Sequence, residues 1–189
     1  MTSAESGEGS SGARGTAAGK YAAFVLLGLL VVGLDQLGKR HVAEALALGE
    51  RVPILGSLLA FAREPSAGGA LGLLRDWSPE AQLVVYALLS GVASLLALVF
   101  LRSLAPRDLG TAAALGAIFG GVSSNALDRW RGGATLDFLH VGPISSSLLP
   151  DFSLADLGIL LGVGTLIVEL LATEMATRAA ERPRRSPPY

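Results

Sequence analysis

The chain has 189 residues, of which 51% are hydrophobic and 16% are charged, and its formal net charge is -1. Soluble domains rarely combine so much apolar with so little charged sequence, so the composition indicates an integral membrane protein. The near-neutral charge provides no basic field for nucleic acid, and without cysteine the chain can form neither a disulfide nor a zinc–thiolate site.

Four apolar segments follow one another along the chain, and each predicts a transmembrane helix. A bilayer core about 30 Å thick needs roughly 20 helical residues to span it. The middle two segments carry no charge and have that length, whereas the outer two are shorter and reach it only with the charged residues at their ends. In chain order, the segments are residues 21–34, 81–101, 109–127 and 157–168.

The first segment has one alternative interpretation, a signal peptide. Lys20 precedes a short apolar run, and the stretch Ala45-Leu46-Ala47 is similar to a small-residue cleavage site. A transmembrane helix is favoured because the charged stretch of residues 35–44 would be unusually long for the region before such a cut.

The ends of the chain are polar, which predicts a disordered tail at 1–19, a membrane domain at 20–177 and a basic, proline-rich tail at 178–189.

Basic residues near the segment ends predict the orientation of the chain in the membrane. They concentrate in three regions that alternate correctly to share the cytoplasmic side, so both termini are expected there. The loops 39–80 and 129–152 then face outward. The basic residues are Arg14 and Lys20 before the first segment, Arg102 and Arg107 in the short second loop, and Arg178, Arg182, Arg184 and Arg185 at the end.

This topology brings four aspartates to one face of the membrane. Asp35 ends the first segment, Asp128 ends the third, Asp137 lies in the second outer loop and Asp156 opens the fourth segment. Carboxylates at a bilayer boundary are costly, so they often mark a functional site or pair with one another. Structural roles also fit, because an acid favours a helix N-terminus at Asp156 and Asp128 could pair with Arg129.

Two carboxylates held close together in a partly dry site can share a proton, and such a pair can activate water and cleave an amide. A serine nucleophile with His140 as its base is an alternative, since Ser145–Ser147 lie nearby, although the spacing is unspecific. A channel or proton relay is a third interpretation, but its aspartates should continue through the bilayer. His41 and His140 are too few and too far apart for a recognisable metal site.

The residues around the aspartates resemble the lipoprotein signal peptidase family, also called signal peptidase II. The resemblance extends from Asp35 to Ile159 and consists of four motifs in order on the predicted outer face. The motifs are DQLGK at 35–39, GGALGLL at 68–74, GGVSSNALDRWRGGATLDF at 120–138 and PDFSLADLGI at 150–159.

The resemblance implies a fold, a site and a substrate. The fold is an all-α integral membrane protein of four transmembrane helices with a small extracytoplasmic β-rich cradle, to which a hairpin predicted over residues 51–61 would contribute. Asp137 and Asp156 would be the catalytic aspartates of an endopeptidase without metal or cofactor. Residues matching the supporting positions are Asp35, Lys39, Ser66, Gly68, Asn125, Asp128, Arg129 and Ser153.

Family members remove the signal peptide from bacterial prolipoproteins and cut before a cysteine that carries a diacylglyceryl group. The resemblance therefore implies a monomer in the bacterial inner membrane that contacts membrane lipid and has its active site near the periplasmic face.

The chain departs from the family pattern at three serines. Ser66 and Ser153 stand where asparagine is usual, and Ser124 stands where glycine is usual. A divergent paralogue or a pseudoenzyme that binds lipoproteins without efficient cleavage is the alternative. Ser153 can cap the last helix but is expected to reach less far toward the carboxylates than asparagine.

Overall fold

The computed structural model describes residues 8–66, 76–132, 135–143 and 151–181, without the side chains of residues 8–17, 65 and 66. This part of the chain is mostly helical and has one small sheet. The elements in chain order are α1 (Glu8–Ala45), β1 (Arg51–Leu55), β2 (Leu59–Ser66), α2 (Pro79–Ser103), α3 (Leu109–Gly132), β3 (Thr135–Val141) and α4 (Leu154–Glu181).

Three of the described helices are long and apolar enough to cross a membrane, namely α2, α4 and the part of α1 from Ala18 to Ala45. Large leucine side chains on these helices, such as Leu29, Leu88 and Leu170, are exposed on the outside of the bundle. Exposed apolar surface of this extent is typical of helices that face lipid rather than water. The chain is therefore a multi-pass membrane protein.

The predicted span of residues 109–127 lies in α3, which is not among these three helices. It is rich in glycine, alanine and serine and packs against all three other helices, so much of its surface is buried. That α3 crosses the membrane stays a prediction. So do the limits of the two tails, although α1 begins at Glu8 and α4 continues to Glu181.

Glycines allow α3 to lie close to its neighbours. A Cβ atom on Gly120 would stand 2.5 Å from the carbonyl oxygen of Gly28 in α1, and one on Gly116 would meet the carbonyl oxygen of Phe24. On the side of α4, a Cβ atom on Gly162 would lie 2.7 Å from the carbonyl oxygen of Ala114. Such close backbone approach is the usual role of small residues between membrane helices.

One end of the bundle is held together by an apolar cluster built around Phe24. Its ring stacks in a tilted geometry on Phe119, at a centroid distance of 5.3 Å, and contacts residues of α2 and α3. The buried Lys20 lies at the same end, where its Nζ donates to the carbonyl oxygens of Arg102 and Leu104. These carbonyls at the end of α2 have no partner within the helix, so Lys20 satisfies them.

The three strands form an antiparallel sheet in the order β1-β2-β3. A tight turn joins β1 to β2, with Gly56 at a positive φ of 54° that favours glycine. The hairpin predicted over residues 51–61 is thus confirmed. The third strand was not predicted. Asp137 was expected in a loop, whereas it lies within β3. Phe138 anchors this strand on the helices, with its ring against Gly38 of α1.

Candidate active site

Polar side chains cluster beside the sheet. They come from residues 35–39 of α1, from the C-terminal end of α3 and from the N-terminal end of α4. The centre of this cluster is the buried Lys39, whose Nζ lies 2.5 Å from Asp35 Oδ2 and 2.5 Å from Asp128 Oδ2. Asp35 and Lys39 are four residues apart in α1, a spacing that places both side chains on one face of the helix. One buried ammonium group therefore joins a carboxylate of α1 to a carboxylate of α3.

Asp35 is completely buried and has a second task at the start of α4. Its Oδ1 accepts a hydrogen bond of 2.8 Å from the backbone N–H of Ala155, and its Oδ2 accepts one of 2.7 Å from Ser124 Oγ. The first N–H groups of a helix lack partners within the helix. Asp35 accepts a hydrogen bond from one of these N–H groups. It thereby holds the first turn of α4, which carries Asp156, against α1.

Asn125 connects this network directly to Asp156. Its Oδ1 accepts a hydrogen bond of 3.1 Å from Lys39 Nζ, and its Nδ2 donates one of 2.9 Å to Asp156 Oδ1. Gln36 lies beside it and donates to both Ser124 Oγ and Asp128 Oδ1. The amide of Asn125 thus orients one oxygen of Asp156 relative to the charged cluster.

Ser153 holds the other oxygen of Asp156. The backbone N–H and the hydroxyl of Ser153 both donate to Asp156 Oδ2, at 2.9 and 2.8 Å, and the N–H of Asp156 donates to Ser153 Oγ at 3.2 Å. This reciprocal arrangement is a capping box with aspartate at its third helical position. The prediction that Ser153 caps α4 is confirmed. The hydroxyl of Ser153 reaches Asp156 because the two residues share one helix turn, and the expectation that asparagine would reach farther stays a prediction.

Arg129 stands among the remaining charges of the site. Its guanidinium lies 3.4 Å from the centre of the Tyr86 ring in α2, so the cation stacks on an aromatic face. Burial lowers the pKa of Arg129, while Tyr86 and the carboxyl groups of Asp137, Asp156 and Asp128 oppose that shift. The two aspartates on β3 and α4 therefore lie close enough to act on one guanidinium group.

The described structure brings together most of the residues singled out in the sequence. Gly68 lies outside the described residues, as does the side chain of Ser66, so their predicted roles are untested. Asp128 forms its ion pair with Lys39, although pairing with its neighbour Arg129 was the structural alternative. Sequence reasoning missed Gln36 and Tyr86, and it noted Ser124 as a departure from the family pattern without predicting its hydrogen bonds to Asp35 and Gln36.

The described residues contain no group of three or more histidine, cysteine, aspartate or glutamate side chains arranged to hold a metal ion. His140, the proposed base of the serine alternative, is completely buried and contacts Asp151 and the carbonyl of Pro143. The serines at 145–147 lie outside the described residues. The polar groups that the structure describes at the site are carboxylates, amides, the hydroxyls of Ser124 and Ser153 and two buried cations.

Comparison with known proteins places this arrangement in a family. The family model for signal peptidase (SPase) II matches residues 27–172, which is most of the chain and all of the described site. The chain belongs to the signal peptidase II family. The resemblance inferred from the four motifs is therefore confirmed, and with it the enzyme class, an aspartic endopeptidase of the signal peptidase II type.

Individual relatives agree with this assignment. The lipoprotein signal peptidase of Moorella thermoacetica is 34% identical over 151 residues, covering 78% of this chain and 92% of the relative. That of Desulforapulum autotrophicum is 29% identical over 146 residues, covering 77% and 90%. A bacterial membrane enzyme solved in meso at 2.3 Å resolution shares the fold, with a TM-score of 0.72 at 21% identity over 87% of this chain and 94% of that one.

Proposed function

We propose that this chain removes the signal peptide from prolipoproteins and cuts just before a cysteine that carries a diacylglyceryl group. Membership in the signal peptidase II family supports this proposal, and so do the names of relatives that align over nine tenths of their length. The substrate would bring its peptide bond to the membrane boundary through its own lipid anchor. An enzyme for it must therefore keep its catalytic groups at the membrane boundary.

The observation that carries the mechanism is the way in which Asp156 is held. Its carboxylate accepts three hydrogen bonds, one from Asn125 and two from Ser153. A protonated carboxyl group would have to turn one oxygen into a donor and would lose part of this pattern. We therefore assign Asp156 as the charged member of the catalytic pair and Asp137 as the member that carries the proton.

The charge of the whole cluster supports one shared proton. Four aspartates, Asp35, Asp128, Asp137 and Asp156, surround two buried cations, Lys39 and Arg129. Like charges in a partly desolvated site disfavour further ionisation, so protonation of one carboxyl group relieves part of the excess negative charge. Because Lys39 Nζ contacts both Asp35 and Asp128 directly, which favours the ionised form of each, we place the proton on the pair near Arg129.

The reaction follows from these two protonation states. Asp156 takes a proton from a water molecule, and the water oxygen attacks the carbonyl carbon of the scissile peptide bond. Asp137 donates its proton to the carbonyl oxygen as the tetrahedral intermediate forms. The proton held by Asp156 then passes to the leaving nitrogen, the C–N bond breaks, and the collapsing intermediate returns a proton to Asp137.

We further propose that four helices span the membrane, with both termini in the cytoplasm and the site at the periplasmic boundary. The glycine contacts that hold α3 between α1 and α4 favour a common span for these helices. The basic residues of the α2–α3 loop and of the two ends favour the cytoplasm for those regions. The working unit would be a monomer surrounded by lipid.

The proposal is tested with the purified chain in detergent and a prolipoprotein that carries the diacylglyceryl cysteine. We expect cleavage immediately before that cysteine, and none of a matched substrate in which alanine replaces it. Cleavage of both substrates, or cleavage at another bond, would contradict the proposed specificity. Binding of the lipid-modified substrate without cleavage would identify a pseudoenzyme.

A further inference from the structure

His140 is a buried histidine that the proposed reaction does not use. It lies on β3, three residues after Asp137, and its side chain is completely buried. Its Nδ1 lies 2.6 Å from Asp151 Oδ1, and its Nε2 lies 3.3 Å from the carbonyl oxygen of Pro143. Both ring nitrogens therefore face oxygen atoms that can only accept a hydrogen bond, as long as Asp151 is ionised.

A neutral imidazole ring cannot satisfy both contacts, because it has one N–H donor and one nitrogen acceptor. Only the doubly protonated ring donates to both oxygens. Asp151 supplies a matching negative charge and is itself nearly buried. A buried cation that is paired and fully hydrogen-bonded is the form that a protein interior tolerates.

Asp151 extends the contact to the rest of the sheet. Its Oδ2 lies 3.1 Å from a guanidinium nitrogen of Arg51 on β1, and the same nitrogen lies 3.8 Å from Glu64 on β2. The ionisable groups that the described structure places around His140 are therefore Asp151 directly, and Arg51 and Glu64 through it. This chain of charges joins all three strands to the segment that leads into α4.

The same segment is joined to β3 by its backbone. The N–H of Leu139 donates to the carbonyl of Phe152 at 2.9 Å, and the N–H of Phe152 donates to the carbonyl of Leu139 at 3.0 Å. This antiparallel β-bridge is the crossing of the two segments. Asp137 precedes this crossing by two residues on one segment, and Asp156 follows it by four on the other. Any slip at the crossing would change the separation of the two catalytic carboxylates.

We infer that His140 and Asp151 are positioning residues, a buried imidazolium–carboxylate pair that fixes the strand of Asp137 against the start of the helix of Asp156. The pair takes no part in the proposed proton transfers and acts through the backbone crossing at Leu139 and Phe152. The expected effect on catalysis rests on the proposed function. The charge of the His140–Asp151 pair and its stabilisation of the crossing do not.

The protonation state is tested by nitrogen-15 NMR of labelled histidine in detergent micelles. Only His41 and His140 contribute signals, and the variant His41→Gln leaves His140 alone. We expect both ring nitrogens of His140 to carry protons at neutral pH, and a single protonated nitrogen in Asp151→Asn. A neutral ring in the unmodified protein at neutral pH would overturn the charged pair.

The positioning role is tested by hydrogen exchange and kinetics on Asp151→Asn and His140→Gln. We expect faster exchange at the amides of Leu139 and Phe152. We also expect kcat to fall by about 10- to 100-fold, the scale of a 1 Å misplacement, with KM nearly unchanged. The matched control is Glu174→Gln, which removes an exposed carboxylate from its ion pair with Arg178 and should change none of these values.

Unchanged exchange at the crossing in both variants would overturn the positioning role, and so would faster exchange with unchanged kcat. If the unmodified chain cleaves no prolipoprotein, the proposed function fails. In that case the NMR and exchange measurements still decide whether the pair is charged and whether it holds the crossing.

Discussion

Ser153 and Asp156 hold each other at the first turn of α4, each residue donating a backbone N–H to the side chain of the other. A local motif that usually only begins a helix here also supports the carboxylate that we propose as catalytic. Asn125 completes the arrangement from α3, and Asp35 holds the intervening N–H of Ala155. The start of α4 is therefore held by its own N-cap and by side chains of α1 and α3.

Replacement of Ser153 by alanine should affect both stability and activity. The variant loses the N-cap, which stabilises by about 1 kcal/mol, and one of the three donors to Asp156. Hydrogen bonds to charged groups contribute about 1.5–3 kcal/mol, so kcat should fall by about 10- to 100-fold. Prolipoprotein cleavage and unfolding in detergent measure the two effects. Ser57→Ala, in the exposed turn of the β1–β2 hairpin, is the control, and equal activity of the two variants would contradict this role of Ser153.

Replacement of Lys39 by methionine tests the central ion pair. The change keeps most of the side-chain volume but leaves the carboxylates of Asp35 and Asp128 without their shared cation. Breaking a buried pair in this way is expected to cost about 3–5 kcal/mol of unfolding free energy. The neighbouring Arg40 is mostly exposed, so Arg40→Met should cost much less. A second change, Asp35→Asn, should recover part of the loss in Lys39→Met, and further destabilisation by it would argue against the pairing.

Two glycines, one in α3 and one in α4, test the packing of α3 against α1. An alanine Cβ at Gly120 would collide with the backbone of Gly28, whereas one at Gly164 would meet nothing within 4 Å. Gly120→Ala should therefore destabilise the protein by about 1–3 kcal/mol, as overpacking does. Gly164→Ala should be neutral or stabilise by up to about 1 kcal/mol through helix propensity. Unfolding of both variants in the same detergent decides, and equal stabilities would contradict the close contact of α1 with α3.

The orientation in the membrane can be tested cleanly because the chain has no native cysteine. A cysteine at Ser57, in the hairpin turn, should react with a membrane-impermeant thiol reagent added to intact spheroplasts. A cysteine at Ser103, in the last turn of α2, should react only after the membrane is opened. The reverse pattern would move the site to the cytoplasm.

The helices were predictable because uninterrupted apolar runs leave few alternatives in a membrane. The grouping of Asp35, Lys39 and Asp128 was also accessible, since the spans place their ends on one side and the motifs identify them. β3 was missed because Asp137 and His140 are three residues apart and so break the apolar–polar alternation that predicts a strand, and its partner strand lies far away in the sequence. The roles of Ser124 and Asp151 depend on partners far away in the sequence, Asp35 and Arg51. No local pattern announces such pairs.

Cleavage by the variants Asp137→Asn and Asp156→Asn tests the central claim most directly. Each change keeps the shape of the side chain but removes the acid or the base, and the paired residues act as a unit. With lipid-modified prolipoprotein, we predict a loss of about 100-fold or more in kcat for each single variant, and little further loss in the double variant. Glu174→Gln serves as the control for a removed carboxylate. If either single variant retained more than about a tenth of the unmodified activity, an effect below about 1.4 kcal/mol, the assignment of the catalytic pair would be wrong.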